Sequence, residues 1–209
     1  MKKIDPQAKC VCIAPLKSLA RERLREWKER FGGPPLRWNV LELSGDTHYD
    51  SFTMSRADIL VSTPEKWDLV SRGWRHAGIK DGKNSDSNRS FVKDVRLLII
   101  DEIHLLGEER GAVLEAIVSR TRFISKFLAQ NKDGSTSTRE PIRIIGLSTS
   151  IANPFDLADW IGIKTDAFDA ESMKGLYNFR ASVRPVPMIV HISGFSGRHF
   201  CARMASMNK

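Results

Sequence analysis

Short apolar runs alternate along the chain with longer segments whose apolar residues recur at helical spacing. The short runs predict buried β-strands at residues 10–14, 40–43, 59–61, 95–100 and 142–147. The longer segments predict amphipathic helices at about residues 16–31, 112–128 and 155–161. This alternation is typical of an α/β domain, in which helices cover both faces of a mostly parallel sheet.

Two polar segments interrupt this pattern. Residues 80–90 (KDGKNSDSNRS) and 131–140 (NKDGSTSTRE) contain few apolar side chains and predict flexible surface insertions. From residue 181 onward the pattern weakens, and the prolines of the segment RPVP at 184–187 are incompatible with a regular helix. We therefore predict one domain at residues 1–180 and a connector at 181–209.

Polar residues follow several of the predicted strands at the point where each strand ends. In a parallel sheet the carboxyl ends of the strands lie at one edge, where functional groups collect. The residues in question are Lys17, Thr63, Asp101, Glu102, Ser148 and Thr149. We expect these side chains to lie along a single edge of the sheet.

The strongest chemical signal is the segment LLIIDEIH at residues 97–104, in which a buried strand ends at two adjacent carboxylates. This arrangement suits a nucleoside triphosphatase. Asp101 would hold Mg²⁺ through water, because Mg²⁺ keeps most of its hydration shell. Glu102 would orient and deprotonate the attacking water, and His104 would report the nucleotide state. The alternative is a solvated acidic pair at a strand end, which the flanking apolar residues disfavour.

This segment resembles motif II of the DExH-box helicases of superfamily 2, and further segments resemble other motifs in the order that the family has them. These are APLKSL at 14–19 (motif Ia), SGD at 44–46, TPEKW at 63–67 (motif Ib) and STS at 148–150 (motif III). Thr149 stands where many members have Ala. GEERG at 107–111 and VRPVP at 183–187 resemble the large tandem-cassette members of the family. The resemblance extends over about residues 9–209.

The resemblance implies a RecA-like first motor domain that uses ATP and Mg²⁺ and binds the backbone of an RNA or DNA strand, single or in a duplex, without reading its bases. The nucleic-acid-binding residues that it implies are Pro15, Lys17, Ser18, Gly45, Asp46, Thr63, Pro64, Glu65 and Lys66. The catalytic residues that it implies are Asp101, Glu102, His104, Ser148 and Thr149, the last two coupling hydrolysis to strand movement.

Simpler interpretations of these residues stay open at this point. Thr63 could only cap a helix that begins at Pro64. Ser148 and Thr149 could only satisfy backbone groups at a strand end. A solvated helix face would equally explain Lys17, Arg21, Arg25 and Lys28.

The 209 residues contain no phosphate-binding loop of the form G-x-x-x-x-G-K-[ST]. The only Gly-Lys pair, Gly82-Lys83, precedes Asn84, and Ala77 stands where the first glycine is needed. The sheet is therefore expected to lack the strand and helix that flank this loop. We expect the chain alone to bind ATP weakly and not to unwind nucleic acid, and to be a piece of a longer protein with a second RecA-like domain.

The net charge of +8 favours a polyanionic partner. Cys10 and Cys12 share one face of a predicted strand, so we expect them to be reduced core residues. No apolar run approaches the ~20 residues of a membrane span. The resemblance implies a nuclear or cytoplasmic protein that works in a multiprotein complex.

Two other function classes remain as alternatives. A non-enzymatic scaffold derived from a helicase is favoured by the missing phosphate-binding loop and disfavoured by the intact DEIH segment. A metal-dependent hydrolase that uses Asp101, Glu102 and His104 as ligands is disfavoured, because three ligands so close in sequence cannot easily converge on one ion. The remaining histidines, at 48, 76, 191 and 199, show no pairing pattern.

Overall fold

A computed structural model describes residues 5–47, 49–75, 90–130, 140–163, 175–196 and 198–207. The described strands are β1 Lys9–Ile13, β2 Val40–Leu43, β3 Ile59–Ser62, β4 Val95–Ile100 and β5 Arg143–Gly146. The described α-helices are α1 Lys17–Gly32, α2 Ser51–Ser55, α3 Pro64–Arg72, α4 Gly111–Ala129, α5 Pro154–Ile161 and α6 Phe200–Met207. The predicted insertions lie outside the described residues, except that Ser90 begins a 3-10 turn, Ser90–Asp94, and Glu140 is described.

The strands form one sheet in the order β2-β3-β1-β4-β5, and each neighbouring pair is parallel. On one face, Val11 and Leu98 pack in a core cluster with Trp67 of α3 and Ile117 of α4. The other face carries a smaller cluster in which the partners come mainly from α1. The predicted α/β fold with helices on both faces of a parallel sheet is therefore confirmed.

Cys10 and Cys12 are buried side chains of β1, as predicted. Burial disfavours the thiolate form and raises the pKa of each thiol to about 12. Both residues are therefore packing residues rather than reactive thiols.

The predicted burial of the last two strands is wrong in part. Only Ile144 of β5 is buried, and Leu147 just beyond it is 47% exposed. The reason is that β5 pairs only with β4 among the described strands, so it forms an edge of the sheet. In β4, Leu97 and Ile99 are only partly buried, because α1 is the one described helix in the cluster that contains them.

A buried ion pair joins helices α3 and α4. Asp68 of α3 is 7% exposed, and its carboxylate lies 2.8 Å from Arg120 Nη2 of α4 and 2.5 Å from Arg72 Nη2. Burial alone would raise the pKa of Asp68, but hydrogen bonds from Arg72 and Arg120 outweigh it and hold that pKa below its ordinary value. The ionised form is therefore the one that the fold stabilises.

We expect Asp68→Asn to lower the free energy of unfolding of the chain by about 3 kcal/mol at neutral pH, because it leaves Arg120 without its buried partner. Urea unfolding measures this, with Asp159→Asn on the exposed side of α5 as the control. Because the pKa of Asp68 is lowered on folding, its contribution is present above the unfolded-state value of about 3.9 and is lost as the pH falls below it. If wild type and Asp68→Asn still differ by the same free energy of unfolding well below that pH, the ion pair is not the cause of the difference.

Residues 175–209 form a second compact unit by their contacts, separate from residues 1–174. Its described part contains a 3-10 turn, Ala181–Val183, and helix α6, and the described residues between them form neither helix nor strand. The role of residues 181–209 as a connector stays a prediction. Among the described residues, none of the helices has the length and apolar character needed to cross a membrane.

Candidate functional site

The acidic turn, residues 101–104, begins where β4 ends and is fixed to the strands on both sides. Its Asp101 N–H donates to Ile13 O of β1 at 2.9 Å, and its Ile103 N–H donates to Leu147 O, just beyond β5, at 2.8 Å. Gly146 permits the second approach, since a Cβ there would lie 2.9 Å from Ile103 Cδ1. The acidic turn and the residues after β5 therefore lie at the same edge of the sheet.

Glu102 adopts a left-handed backbone conformation, with φ 54° and ψ 45°. This region is unfavourable for a residue with a Cβ, and such strain is often found at functional sites. The Glu102 N–H donates to Asp101 Oδ1 at 3.1 Å, and Glu102 Oε2 lies 3.3 Å from His104 Nδ1. The two adjacent carboxylates therefore differ in exposure: the side chain of Asp101 is 12% exposed, and that of Glu102 is 39% exposed.

Asp101 has a cationic neighbour that the sequence did not reveal. Arg23 of α1 places Nη2 3.5 Å from Asp101 Oδ2. A single recessed carboxylate suits Mg²⁺, which binds through one or two carboxylates, water and substrate phosphates. Among the described residues, no three His, Cys, Asp or Glu side chains gather as metal ligands would. The residues present fit a water-held Mg²⁺ at Asp101 and give no support to a three-ligand site at the acidic turn.

Ser148 and Thr149 are exposed immediately beyond β5. Their hydroxyl groups have no hydrogen-bond partner in the described part of the chain. The interpretation that they serve only to satisfy strand-end backbone groups is therefore not supported.

A cleft of about 470 Å³ opens where α1 and α3 begin. We use "the cleft" for the space lined by Lys17, Gly45, Thr63, Glu65, Lys66, Leu69 and Arg110. Most of these residues belong to the segments that resemble motifs Ia and Ib and to the Gly-Asp element. The fold thus brings together side chains that are widely separated in sequence.

Each lysine of the cleft is tied to the loop after β2. Lys17 Nζ lies 2.9 Å from Asp46 Oδ1, and Lys66 Nζ donates to Thr47 O at 3.0 Å. The hydrogen bond and charge of Lys17, with a smaller contribution from Arg21, lower the pKa of Asp46. The side chain of Lys17 remains 50% exposed, so it is accessible to an anion that competes with Asp46.

Both helices that open on the cleft begin without a side-chain cap. Leu16 precedes α1, and no acidic residue occupies its first turn. Thr63, a buried residue, precedes α3, and its hydroxyl group is not bonded to the helix. Thr63 therefore has the backbone position of a cap, as predicted, but not the capping side-chain bond. Uncapped N–H groups at a helix start attract anions through the helix dipole.

Some predicted nucleic-acid residues do not line the cleft. Pro15 and Pro64 are buried, and Asp46 reaches the cleft only through Lys17. Ser18 lies in a separate shallow depression with Arg21, Glu22 and Arg25. Arg25 and Lys28 are exposed, as the interpretation of a solvated helix face predicts.

Arg110 and Leu69 line the cleft but were missed as individual site residues. The sequence contained one indication of Arg110, because this residue belongs to the GEERG segment that resembles the large tandem-cassette helicases. No sequence pattern indicated Leu69 or Arg23 as a site residue, since their positions depend on how α3 and α1 pack.

A parallel sheet with this topology, a carboxylate pair at the end of a central strand and a cationic cleft at the same edge define a RecA-like motor domain. The chain belongs to the DEAD/DEAH box helicase family, whose sequence profile matches residues 1–157. The predicted resemblance to DExH-box helicases is therefore confirmed.

Curated relatives are much longer than this chain. It is 53% identical over 204 residues to activating signal cointegrator 1 complex subunit 3 of Rattus norvegicus and 52% identical to that of Homo sapiens. It is 46% identical to DExH-box ATP-dependent RNA helicase DExH14 of Arabidopsis thaliana. In each comparison the match covers 98% of this chain and 8% of the relative.

Solved helicase structures share the fold. The DUF1998 helicase MrfA matches 77% of this chain and 22% of its own, with a TM-score of 0.55 and 20% identity. Mss116p bound to ssRNA and AMP-PNP matches 77% of this chain and 29% of its own, with a TM-score of 0.53 and 20% identity. At this identity the likeness establishes the RecA-like fold alone.

Proposed function

We propose that this chain supplies the water-activating carboxylates and the strand-binding cleft of an ATP-dependent helicase motor that acts on RNA or DNA. The observation that carries the proposal is the position of the acidic turn, which is hydrogen-bonded to the ends of both β1 and β5 at the edge of the sheet where the cleft opens. A solvated acidic pair would have no need of this fixation or of the strained backbone at Glu102.

In the proposed mechanism, Asp101 would hold Mg²⁺ through water, and the bound ion would supply positive charge for the ATP phosphates. The Glu102 carboxylate accepts the proton of the attacking water, and contact with His104 Nδ1 orients it. His104 lies at the same edge and would sense whether nucleotide is present, whereas Ser148 and Thr149, also at this edge, would couple hydrolysis to strand movement.

The cleft is proposed to bind one strand by its sugar-phosphate backbone. Lys17 and Lys66 supply charge, Thr63 supplies a hydroxyl group, and the starts of α1 and α3 supply N–H groups. Because these groups recognise phosphate rather than base edges, binding should be independent of sequence and should weaken with salt.

We further propose that the chain acts as part of a longer protein. Its sequence contains no phosphate-binding loop, so the 209 residues alone are expected to be inactive, with a second RecA-like domain closing over the nucleotide in the complete motor. Membership in a multiprotein complex is proposed from the name of the relatives. A location in the nucleus or cytoplasm is proposed from the family resemblance alone.

Lys17→Ala and Lys66→Ala are each expected to weaken the binding of a single-stranded RNA by about 3- to 10-fold. Each should also reduce the slope of log affinity against log salt by about one, because one phosphate contact is lost. Fluorescence anisotropy over a range of salt concentrations measures both quantities. Lys126→Ala, at an exposed position near the end of α4, is the matched control. Unchanged slopes in both cleft variants would remove the cleft from strand binding.

A non-enzymatic scaffold derived from a helicase is the second candidate, and the missing phosphate-binding loop favours it. ATP turnover by the full-length protein distinguishes the two, since a scaffold would show none with or without a strand.

A further inference from the structure

Arg110 is the residue immediately before α4, and it bonds to the starts of both helices that form the cleft. Its Nη1 donates to the carbonyl oxygen of Pro15, just before α1. Its Nε lies 3.2 Å from Oε1 of Glu65, in the first turn of α3. The proposed function assigns no role to Arg110 or to the GEERG segment that contains it.

A regular series of backbone hydrogen bonds links Arg110 to the acidic turn. Leu105 N–H donates to Glu102 O, Glu108 N–H donates to Leu105 O, and Gly111 N–H donates to Glu108 O, at 3.0, 3.0 and 2.8 Å. We call this series the ladder. Its last step is tightly packed, since a Cβ on Gly111 would lie 1.9 Å from Leu106 O. The ladder is therefore a stiff connection from Glu102 to the residue beside Arg110.

We propose that Arg110 is a positioning residue that couples occupancy of the cleft to the placement of Glu102. A strand that shifts the start of α1 or α3 would displace Arg110 through Pro15 and Glu65, and the ladder would carry that displacement to the acidic turn. This inference rests on the proposed function and names the route by which a bound strand stimulates hydrolysis at the same site.

The contacts of Arg110 favour this role over direct binding of phosphate. Two of its donor groups already bond to the protein, and Glu65 offsets its charge. The planar guanidinium group holds a carbonyl and a carboxylate in fixed directions at once, which a lysine ammonium on a flexible chain does not reproduce. The guanidinium geometry, rather than the charge alone, is therefore the feature to test.

The experiment measures ATP turnover by the full-length protein with and without saturating single-stranded RNA. Arg110→Ala and Arg110→Lys should each reduce the ratio of stimulated to basal turnover by about tenfold, within the range of coupling between two sites. Arg122→Ala is the matched control, because Arg122 is an exposed arginine of α4 that bonds to Trp160 O instead. In Arg122→Ala, the ratio of stimulated to basal turnover should equal that of the wild type.

A double-mutant cycle with Glu65→Gln sharpens the test. If Arg110 acts through Glu65, the variant with both Arg110→Ala and Glu65→Gln should lose less stimulation than the product of the two single losses. Arg110→Lys keeps the proposal testable if Arg110→Ala does not fold.

Three results would overturn the coupling role of Arg110. One is full stimulation in Arg110→Lys, which would mean that charge suffices. Another is an equal fall in basal and stimulated turnover, which would mean general support of the fold. The third is a salt slope of RNA binding reduced by about one in Arg110→Ala, which would mean a phosphate contact. If the wild type shows no strand-stimulated turnover at all, the proposed function itself fails, and the coupling fails with it.

Discussion

Glu102→Gln is expected to lower ATP turnover by the full-length protein about a thousandfold, within the range that a general base contributes. The amide has nearly the same shape as the carboxylate but cannot accept a proton from water. The strained backbone at residue 102 and the bonds that fix the acidic turn to β1 and β5 do not involve this side chain. The loss should therefore be confined to the chemical step.

Release of phosphate with and without an RNA strand measures the effect of Glu102→Gln, and binding of ATP and of the strand should stay close to wild type. Glu109→Gln is the matched control, because Glu109 is an exposed carboxylate of the same connecting segment, outside the acidic turn. Turnover within tenfold of wild type in Glu102→Gln would show that another group activates the water.

Gly111→Ala is expected to destabilise the chain by about 3 kcal/mol, at the upper end of the usual cost of overpacking. The added Cβ would lie 1.9 Å from Leu106 O and 2.8 Å from Leu106 C, both of them backbone atoms. Relief of this clash requires the connection between the acidic turn and α4 to move, at the expense of the hydrogen bond from Gly111 to Glu108. The substitution should therefore disturb Glu102 as well as the fold.

Gly107→Ala provides an internal comparison, because nothing lies within 4 Å of a Cβ at Gly107. Urea unfolding of the two variants of the chain measures the difference in stability, and ATP turnover by the corresponding full-length proteins measures the effect on the acidic turn. Equal stability and equal turnover in the two variants would contradict the close packing of Gly111 against Leu106.

Local periodicity predicted most elements of the fold closely, but it predicted neither α2 nor α6. The predicted helix at 16–31 is observed at Lys17–Gly32, and the predicted strand at 95–100 is observed over the same residues. The burial of β5 was predicted less well. An apolar run reports what a strand could bury, whereas the neighbours on either side determine what it does bury, and β5 has a single described neighbour.

In the candidate site, too, local features were predicted from the sequence and contacts between distant segments were not. The acidic pair was found from sequence because a buried strand and its exit residues are contiguous, and the lysines of the cleft were found through the family resemblance. Two arginines were not found as site residues: Arg23, which contacts Asp101, and Arg110, which contacts Pro15 and Glu65. Arg23 lies 78 positions from Asp101, and Arg110 lies 95 positions from Pro15.

By itself, the sequence determined the approximate bounds of most strands and of the longer helices, which residues carry acid or base, and which family the chain resembles. These properties depend on local periodicity, on residue chemistry and on short motifs. Only the tertiary structure decided the order of the strands, the edge position of β5 and the contacts of Arg23 and Arg110. Such contacts arise when the sheet brings distant segments together, and no local pattern in the chain specifies which segments will meet.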